Sequence, residues 1–254
     1  MNAVAPTASE LRNESRLFYL WMATGYLIVA FGGFIPTYWA RVATGTFHGP
    51  AILHVHGLLL FSWVCFYFVQ TAWVAAGRIS SHRHWGLAGI SLFTIVICSV
   101  LVGQIAVIKA AELQGFGDAA RRFSAVALCA LPFMAGFFAL AIANTHRPQI
   151  HKRWMLLLMS GMMTPAIARV FLTLFAPPGA ASAPPPPFVS IPPALLADLF
   201  IVVAIVRDWR TLGKLHPVYF YGGIILLAQQ LLTPLIAATA PWMQIATAFE
   251  RLAG

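Results

Sequence analysis

The chain has 254 residues, of which 60% are hydrophobic and only 9% charged, with a formal net charge of +9. Soluble domains carry about a quarter charged residues, so this composition excludes an ordinary water-soluble enzyme and points to an all-α chain threaded repeatedly through a lipid bilayer. The basic excess would suit nucleic acid, but its Lys and Arg stand in small groups between apolar runs, where they anchor loops at a membrane surface, and no nucleic-acid motif accompanies them.

Residues 1–16 form a polar lead. Crossing the hydrocarbon core takes roughly 20 helical residues, and seven apolar runs of about that length follow: 17–40, 52–76, 86–108, 123–143, 154–175, 188–206 and 218–238. Together they make a single transmembrane domain over 17–239. The first run is too long for a signal peptide and has no small-residue cleavage site after it, so it is retained as a span. Between spans five and six, the stretch "APPGAASAPPPPF" makes 176–187 an extended Pro-rich connector. The sixth span carries Pro192 and Pro193 near its start and Asp198 inside it. In the tail, 240–254, residues Trp242, Ile245, Ala246, Phe249 and Leu252 fall on one helical stripe, which fits either an interfacial helix or an unpatterned end.

Ten Lys and Arg fall on the side of the N-terminus and five on the other, with Arg169 inside span five. The bias predicts a cytoplasmic N-terminus and an external C-terminus in a cell inner (plasma) membrane. Cys65, Cys98 and Cys129 lie singly in spans two, three and four and suit packing. P-loop, GxGxxG and HExxH motifs are absent, as is a clear internal repeat.

The histidines divide by depth. His48, His54 and His56 belong near the external end of span two; His82, His84, His146, His151 and His216 fall at the cytoplasmic side. Helical rise puts His56 and His82 more than about 30 Å apart, so the two groups serve different sites. His54 and His56 are about 200° apart around a regular helix, so both ligate one metal only if the segment unwinds. Trp63 and Gln70 follow His56 at heptad spacing, which makes that stripe bundle-facing; an interfacial histidine bonded to a loop carbonyl is the plainer alternative. Arg169 and Asp198 each cost about 2.5–3.5 kcal/mol near a helix centre unless compensated. Both are expected in the outer half, near the depth of Gln104 and the Gln229/Gln230 pair. An Arg169–Asp198 ion pair is the expectation, serving a ligand or serving packing alone.

At the cytoplasmic side, His82, His84, His146 and His151 form a collar with nearby arginines. His84 with His151 is the expected axial pair for a haem b or another transition metal, with arginines meeting the propionates; the plain alternative is that these residues anchor loops at anionic headgroups.

His56, Gln70, "HRHWG" (82–86) and "HKRWMLLLMSGMMTPAIARVF" (151–171) together resemble a family of functionally uncharacterised bacterial predicted membrane proteins. Its pattern is a helix-start histidine, a downstream glutamine, an H-R-x-x-G turn and an H-x-R-W-M segment leading to an arginine near a helix end, the place of Arg169 here. The resemblance covers mainly spans two to five and implies the fold and the importance of these positions, but no activity. More distantly, histidines at the ends of adjacent spans are similar to those of b-type transmembrane cytochromes. The departure is that no second helix supplies an external histidine, so two bis-histidine haems cannot be assembled.

Three functional readings follow. One is a redox protein with its metal or haem at the cytoplasmic histidines and a quinone-like ligand in the outer half, met by His54, His56, Gln70, Arg169 and Asp198. Another is a non-catalytic subunit or assembly factor of a membrane complex. The third is a small-ion, proton or metal transporter built on Asp198 and His56. Span seven has no lysine for a Schiff base, which excludes the usual covalent retinal linkage.

Overall fold

A computed structural model of the chain describes residues 8–176 and 183–253; the Pro-rich stretch 177–182 and the ends of the chain lie outside them. Among the described residues the regular structure is helical throughout, and seven segments are long and apolar enough to cross a membrane. In hydrocarbon a backbone must satisfy its own hydrogen bonds, and an α-helix does so within each segment.

The first span combines α1 (Ala8–Gly33), a π-helical turn (Ile35–Trp39) and the short α2 (Ala40–Ala43). It is followed by α3 (Ile52–Ala75), α4 (Ile79–Glu112) and α5 (Gly117–Ala143). Span five is broken at Met163 into α6 (Pro148–Met162) and α7 (Thr164–Phe175), where Pro165 cannot continue the hydrogen-bond ladder. A 3-10 turn (Pro187–Ser190) leads into span six, which is broken at Asp198 into α8 (Ile191–Ala197) and α9 (Leu199–Leu212). Last come α10 (Pro217–Ala237) and α11 (Ala240–Glu250).

Several helices run past the apolar runs that announce them. α4 begins at Ile79, so His82 and His84 ride on its first turns, and α6 begins at Pro148, so His151 and Arg153 do the same. Hydropathy marks only the stretch that touches hydrocarbon, whereas the helix continues until a Gly or Pro stops it. Gly77, with φ +76°, supplies the left-handed turn between α3 and α4, a conformation that a β-carbon disfavours.

Neighbours in sequence are neighbours in space: α3 packs on α4, α4 on α5 and α5 on α6, while α1 rests on α3 and α7, and α10 on α5 and α6. One core runs through the bundle, built on Tyr26, Trp63, Phe93, Leu156, Leu157, Met159, Tyr219 and Leu226. Trp21, Leu87, Ile224 and Leu235 face outward and are exposed, as expected of side chains whose solvent is lipid. We call the end holding the α3–α4, α5–α6 and α9–α10 turns the basic end, and the opposite one the far end.

The tail is helical, and part of its apolar stripe turns into the bundle. Trp242 and Ala246 of α11 are buried against Ala125 and Ala237, and the Trp242 indole Nε1 donates to the Arg121 carbonyl at 2.9 Å. Ile245 and Leu252, from the same stripe, remain exposed. Arg121 bonds Glu112, Asp118 and Glu250, the last at 2.9 Å, and so fastens α11 to the far ends of α4 and α5.

His216 caps α10: its Nδ1 accepts from the Val218 N–H at 3.2 Å, which requires that nitrogen to be unprotonated. Burial, and next the Arg153 guanidinium, hold this imidazole below its ordinary value. The unfolded chain therefore binds the proton more readily, and stability rises with pH through this group. Its contribution is fully present above pH about 6.5 and is lost as pH falls through the lowered folded-state value. His216→Asn keeps an acceptor at the cap without the titration. The expected result is a flatter pH dependence of thermal stability below pH about 6.5, with wild type losing about 0.5–1 kcal/mol, the low part of the cap range because the ring is part-exposed.

Candidate functional site

At the basic end the rings of His82 (α4) and His151 (α6) approach to 6.3 Å between centroids, at 70° to one another. The His151 Nδ1 lies 2.8 Å from the Ala141 carbonyl. A carbonyl only accepts, so Nδ1 carries the proton and Nε2 keeps its lone pair free; a metal-ligating histidine is commonly oriented in this way. The His82 Nδ1 is buried and has no hydrogen-bond partner among the described residues. Such an orphan costs about 1–3 kcal/mol in a folded protein, which makes it a pointer to an absent partner.

Gln70 joins this end of the bundle. Trp63 of α3 meets Phe93 of α4 at 4.8 Å and Phe138 of α5 at 5.7 Å, which defines a layer where three helices converge. Gln70 is seven residues beyond Trp63 and His82 is eleven before Phe93. Two and three helical turns return each to nearly the same face, displaced toward the basic end. Ala141 and His151 lie on that side of Phe138 as well. The Gln70 amide is buried, and neither its oxygen nor its nitrogen has a partner among the described residues.

Gln70 is therefore about 21 Å along α3 from His56, so an outer-half site containing both is not formed. His84 and His146 do not enter the cluster. His84 is exposed beside Trp85, 6.2 Å between rings, and His146 is exposed in the α5–α6 turn. The histidine that comes to His151 is His82, not His84, because in a continuous helix the two are two residues apart and point to nearly opposite sides.

At the far end His54 and His56 diverge. His54 Nδ1 meets the Tyr38 hydroxyl at 2.9 Å, and His56 Nδ1 meets Ser99 Oγ at 3.0 Å. Ser99 gives its own proton to the Val96 carbonyl at 2.7 Å, so it accepts from His56 and leaves the His56 Nε2 as an acceptor. Regular helix over Ile52–Ala75 keeps the two imidazoles on separate neighbours and does not bring them to one metal. Among the described residues, no three His, Cys, Asp or Glu side chains come together as a metal site.

Arg169 and Asp198 do not pair. Arg169 is exposed on α7, with its guanidinium 5.8 Å from the Phe34 ring centre, and makes no salt bridge among the described residues. Asp198 accepts instead from Gln230 Nε2 at 3.2 Å. The two residues share a half of the membrane but not a direction around the bundle, and a long arginine near a helix end reaches the headgroup region more cheaply than it enters the core.

The buried ion pair is elsewhere. Arg153 Nε and Nη2 bond Asp208 Oδ2 and Oδ1 at 2.7 and 2.9 Å, in the two-pronged geometry that suits guanidinium and carboxylate. Both side chains are only 2% exposed. The Gln149 carbonyl and side-chain oxygen accept from Arg153 Nη1, and the Tyr19 and Tyr219 hydroxyls bond each other at 3.1 Å. Helical spacing carried the signal: Arg153, Leu156, Leu157 and Ser160 are one buried stripe, as are Ile201, Ala204 and Asp208. Ending spans at the last apolar residue hides both charges in the connectors.

The fold defines an all-α integral membrane bundle of seven spans, with a half-buried imidazole pair at its basic end. No family model, curated protein or solved structure matches the chain.

Proposed function

We propose that this protein is a membrane redox protein in which His82 and His151 would hold a haem b, at the cytoplasmic side of a cell inner membrane. The observation that carries the reading is the His82–His151 approach, with one imidazole already oriented by a carbonyl and the other left with an orphan nitrogen. Two imidazoles are too few for a bare transition-metal ion, which wants about four ligands, whereas haem brings four nitrogens of its own. Bound haem supplies one-electron transfer. The chain's own part is to fix the His151 ring through Ala141, to exclude water with the Trp63, Phe93 and Phe138 layer, and to offer Arg78, Arg83 and Arg147 to propionates. The redox partner in this reading is a lipid-soluble quinone-like carrier or another subunit of a membrane complex. His56, whose Nε2 is an acceptor, is the hydrogen-bonding group at the far end suited to the hydroxyl of a reduced carrier.

An optical spectrum of the detergent-purified protein, air-oxidised and then dithionite-reduced, tests this alongside total iron per chain. The expected result is a Soret band that shifts on reduction, lost in His82→Ala and in His151→Ala and retained in His84→Ala. A colourless, iron-free protein from haem-supplemented cells sinks the reading and favours the non-catalytic bundle.

A further inference from the structure

A second polar site lies deeper in the bundle, between the two interrupted spans. A cavity of about 40 Å³ has one polar side, made by Gly161, Thr164, Ser190, Gln229, Gln230 and Thr233, and an apolar remainder that includes Met134 and Leu226; Asp198 stands behind Gln230 and is not itself on the wall. A cavity of that size holds a few water-sized atoms. Gln230 is 8% exposed, and its Oε1 is buried without a partner, while its Nε2 is spent on the Asp198 carboxylate.

Two prolines release further oxygens. A proline has no N–H, so the carbonyl four residues before it loses its helical partner. Pro165 does this to Gly161, whose carbonyl keeps only a share of the capping Met163 N–H, and Pro234, inside α10, does it to Gln230. Both freed carbonyls belong to residues that line the cavity. Ser190 Oγ donates to the Pro187 carbonyl, and Thr233 Oγ1 donates to the Gln229 carbonyl while accepting from Gln229 Nε2, so the first keeps two lone pairs and the second keeps one. The Gln229, Gln230, Ser190 and Thr233 donors are therefore committed, the Thr164 hydroxyl is free to turn its lone pairs inward, and the polar side of the cavity offers mainly oxygen acceptors.

Charge points the same way. Asp198 has no Lys, Arg or His partner among the described residues, and an uncompensated carboxylate at this depth is costly. One negative charge whose side-chain partner among the described residues is the neutral Gln230 amide is neutralised by one positive charge on the other side of that amide. A strongly oxygen-seeking ion small enough for the cavity fits, and helix breaks near the midplane of transporters supply the same kind of carbonyl ligands.

We propose that the Asp198–Gln230 site binds one small monovalent alkali cation, sodium or lithium in size, through the Gln230 Oε1, the carbonyls released by Pro165 and Pro234, and the Asp198 charge. This site is separate from the imidazole pair, and its test does not depend on whether that pair holds haem.

The test is equilibrium binding of radioactive sodium to the full chain in lipid nanodiscs, with choline as the replacing cation. Saturable binding of about one sodium per chain is expected, competed by lithium. Asp198→Asn should abolish it, and Gln230→Leu should weaken it at least about tenfold. Pro234→Ala returns a donor to the Gln230 carbonyl and regularises α10, so this variant should stay folded and yet bind sodium more weakly. The proposal is overturned by absence of saturable sodium binding to the wild type, or by binding that Asp198→Asn leaves unchanged. Equal sodium affinity in wild type and a monodisperse Pro234→Ala protein would remove the released carbonyl from the site.

Discussion

Asp208→Ala is expected to destabilise the bundle by about 3–5 kcal/mol, the cost of leaving an arginine buried without its counter-charge. Arg153 cannot escape by losing its proton, because a guanidinium stays charged under any condition a protein meets. Its remaining bonds, to Gln149, carry no negative charge, and the nearest aromatic face, the Tyr219 ring at 5.7 Å, is a weak substitute. Removing both charges is a different experiment. Arg153→Met with Asp208→Leu leaves apolar groups of similar reach in a site already walled by Tyr19, Tyr219 and Leu157, and is expected to recover most of the loss. The measurement is thermal unfolding in detergent for wild type, both single variants and the double. If the double is as damaged as the singles added together, Arg153 and Asp208 do not act as a pair. Arg207 sits 4.0 Å from Asp208, with its guanidinium 4.6 Å from the Phe18 ring. In Asp208→Ala it adds repulsion to the stranded charge, which places the expected loss toward the upper part of the range.

Gly33→Leu is expected to separate the first span from the fifth. A β-carbon at Gly33 would stand on the carbonyl group of Ala166 and 3.0 Å from the Ala166 Cβ. These are main-chain atoms and a side chain with no torsion to turn, so the neighbour cannot rotate aside. Compare Gly161, where the obstruction is the flexible end of Met134 at 2.8 Å. Overpacking a well-filled site costs about 1–3 kcal/mol when side chains can adjust. The backbone contact at Gly33 puts Gly33→Leu at or above the top of that range, and Gly161→Ala at or below the bottom. Heat-induced aggregation of the two variants in the same detergent gives the comparison, and an equal response would show that the α1–α7 approach is looser than its geometry. Small residues at helix contacts have this role in membranes, where close approach replaces the hydrophobic drive that lipid removes.

Much of the architecture was legible in residues alone. Long apolar runs separated by Gly, Pro and charge define seven helices because a bilayer admits almost no other backbone solution, and this needs no knowledge of partners. Depth was legible as well, since 1.5 Å per residue orders His56, Trp63 and Gln70 along α3. It placed Gln70 near the basic end, and a site sharing Gln70 with His56 contradicted that ordering. The helix ends were less legible: α4 and α6 start several residues before hydrocarbon does, which brings His82, His151 and Arg153 onto helices and gives them fixed directions.

Direction around the bundle was beyond the sequence. One residue turns a helix by about 100°, so two side chains at equal depth meet or miss according to how their helices are rotated and which helices are adjacent. Arg169 and Asp198 illustrate the miss: similar depth, opposite needs, and no contact, because α7 turns its arginine out over Phe34 while α8 and α10 close around Asp198 and Gln230. His82 illustrates the meeting, chosen over His84 by a rotation of two residues. Composition and periodicity determined a seven-span membrane bundle, since those depend on each segment's own free energy in lipid. The tertiary structure alone decided the His82–His151 pair, the Arg153–Asp208 bridge and the Asp198–Gln230 bond, since those depend on side chains of different helices facing one another across the packed interior.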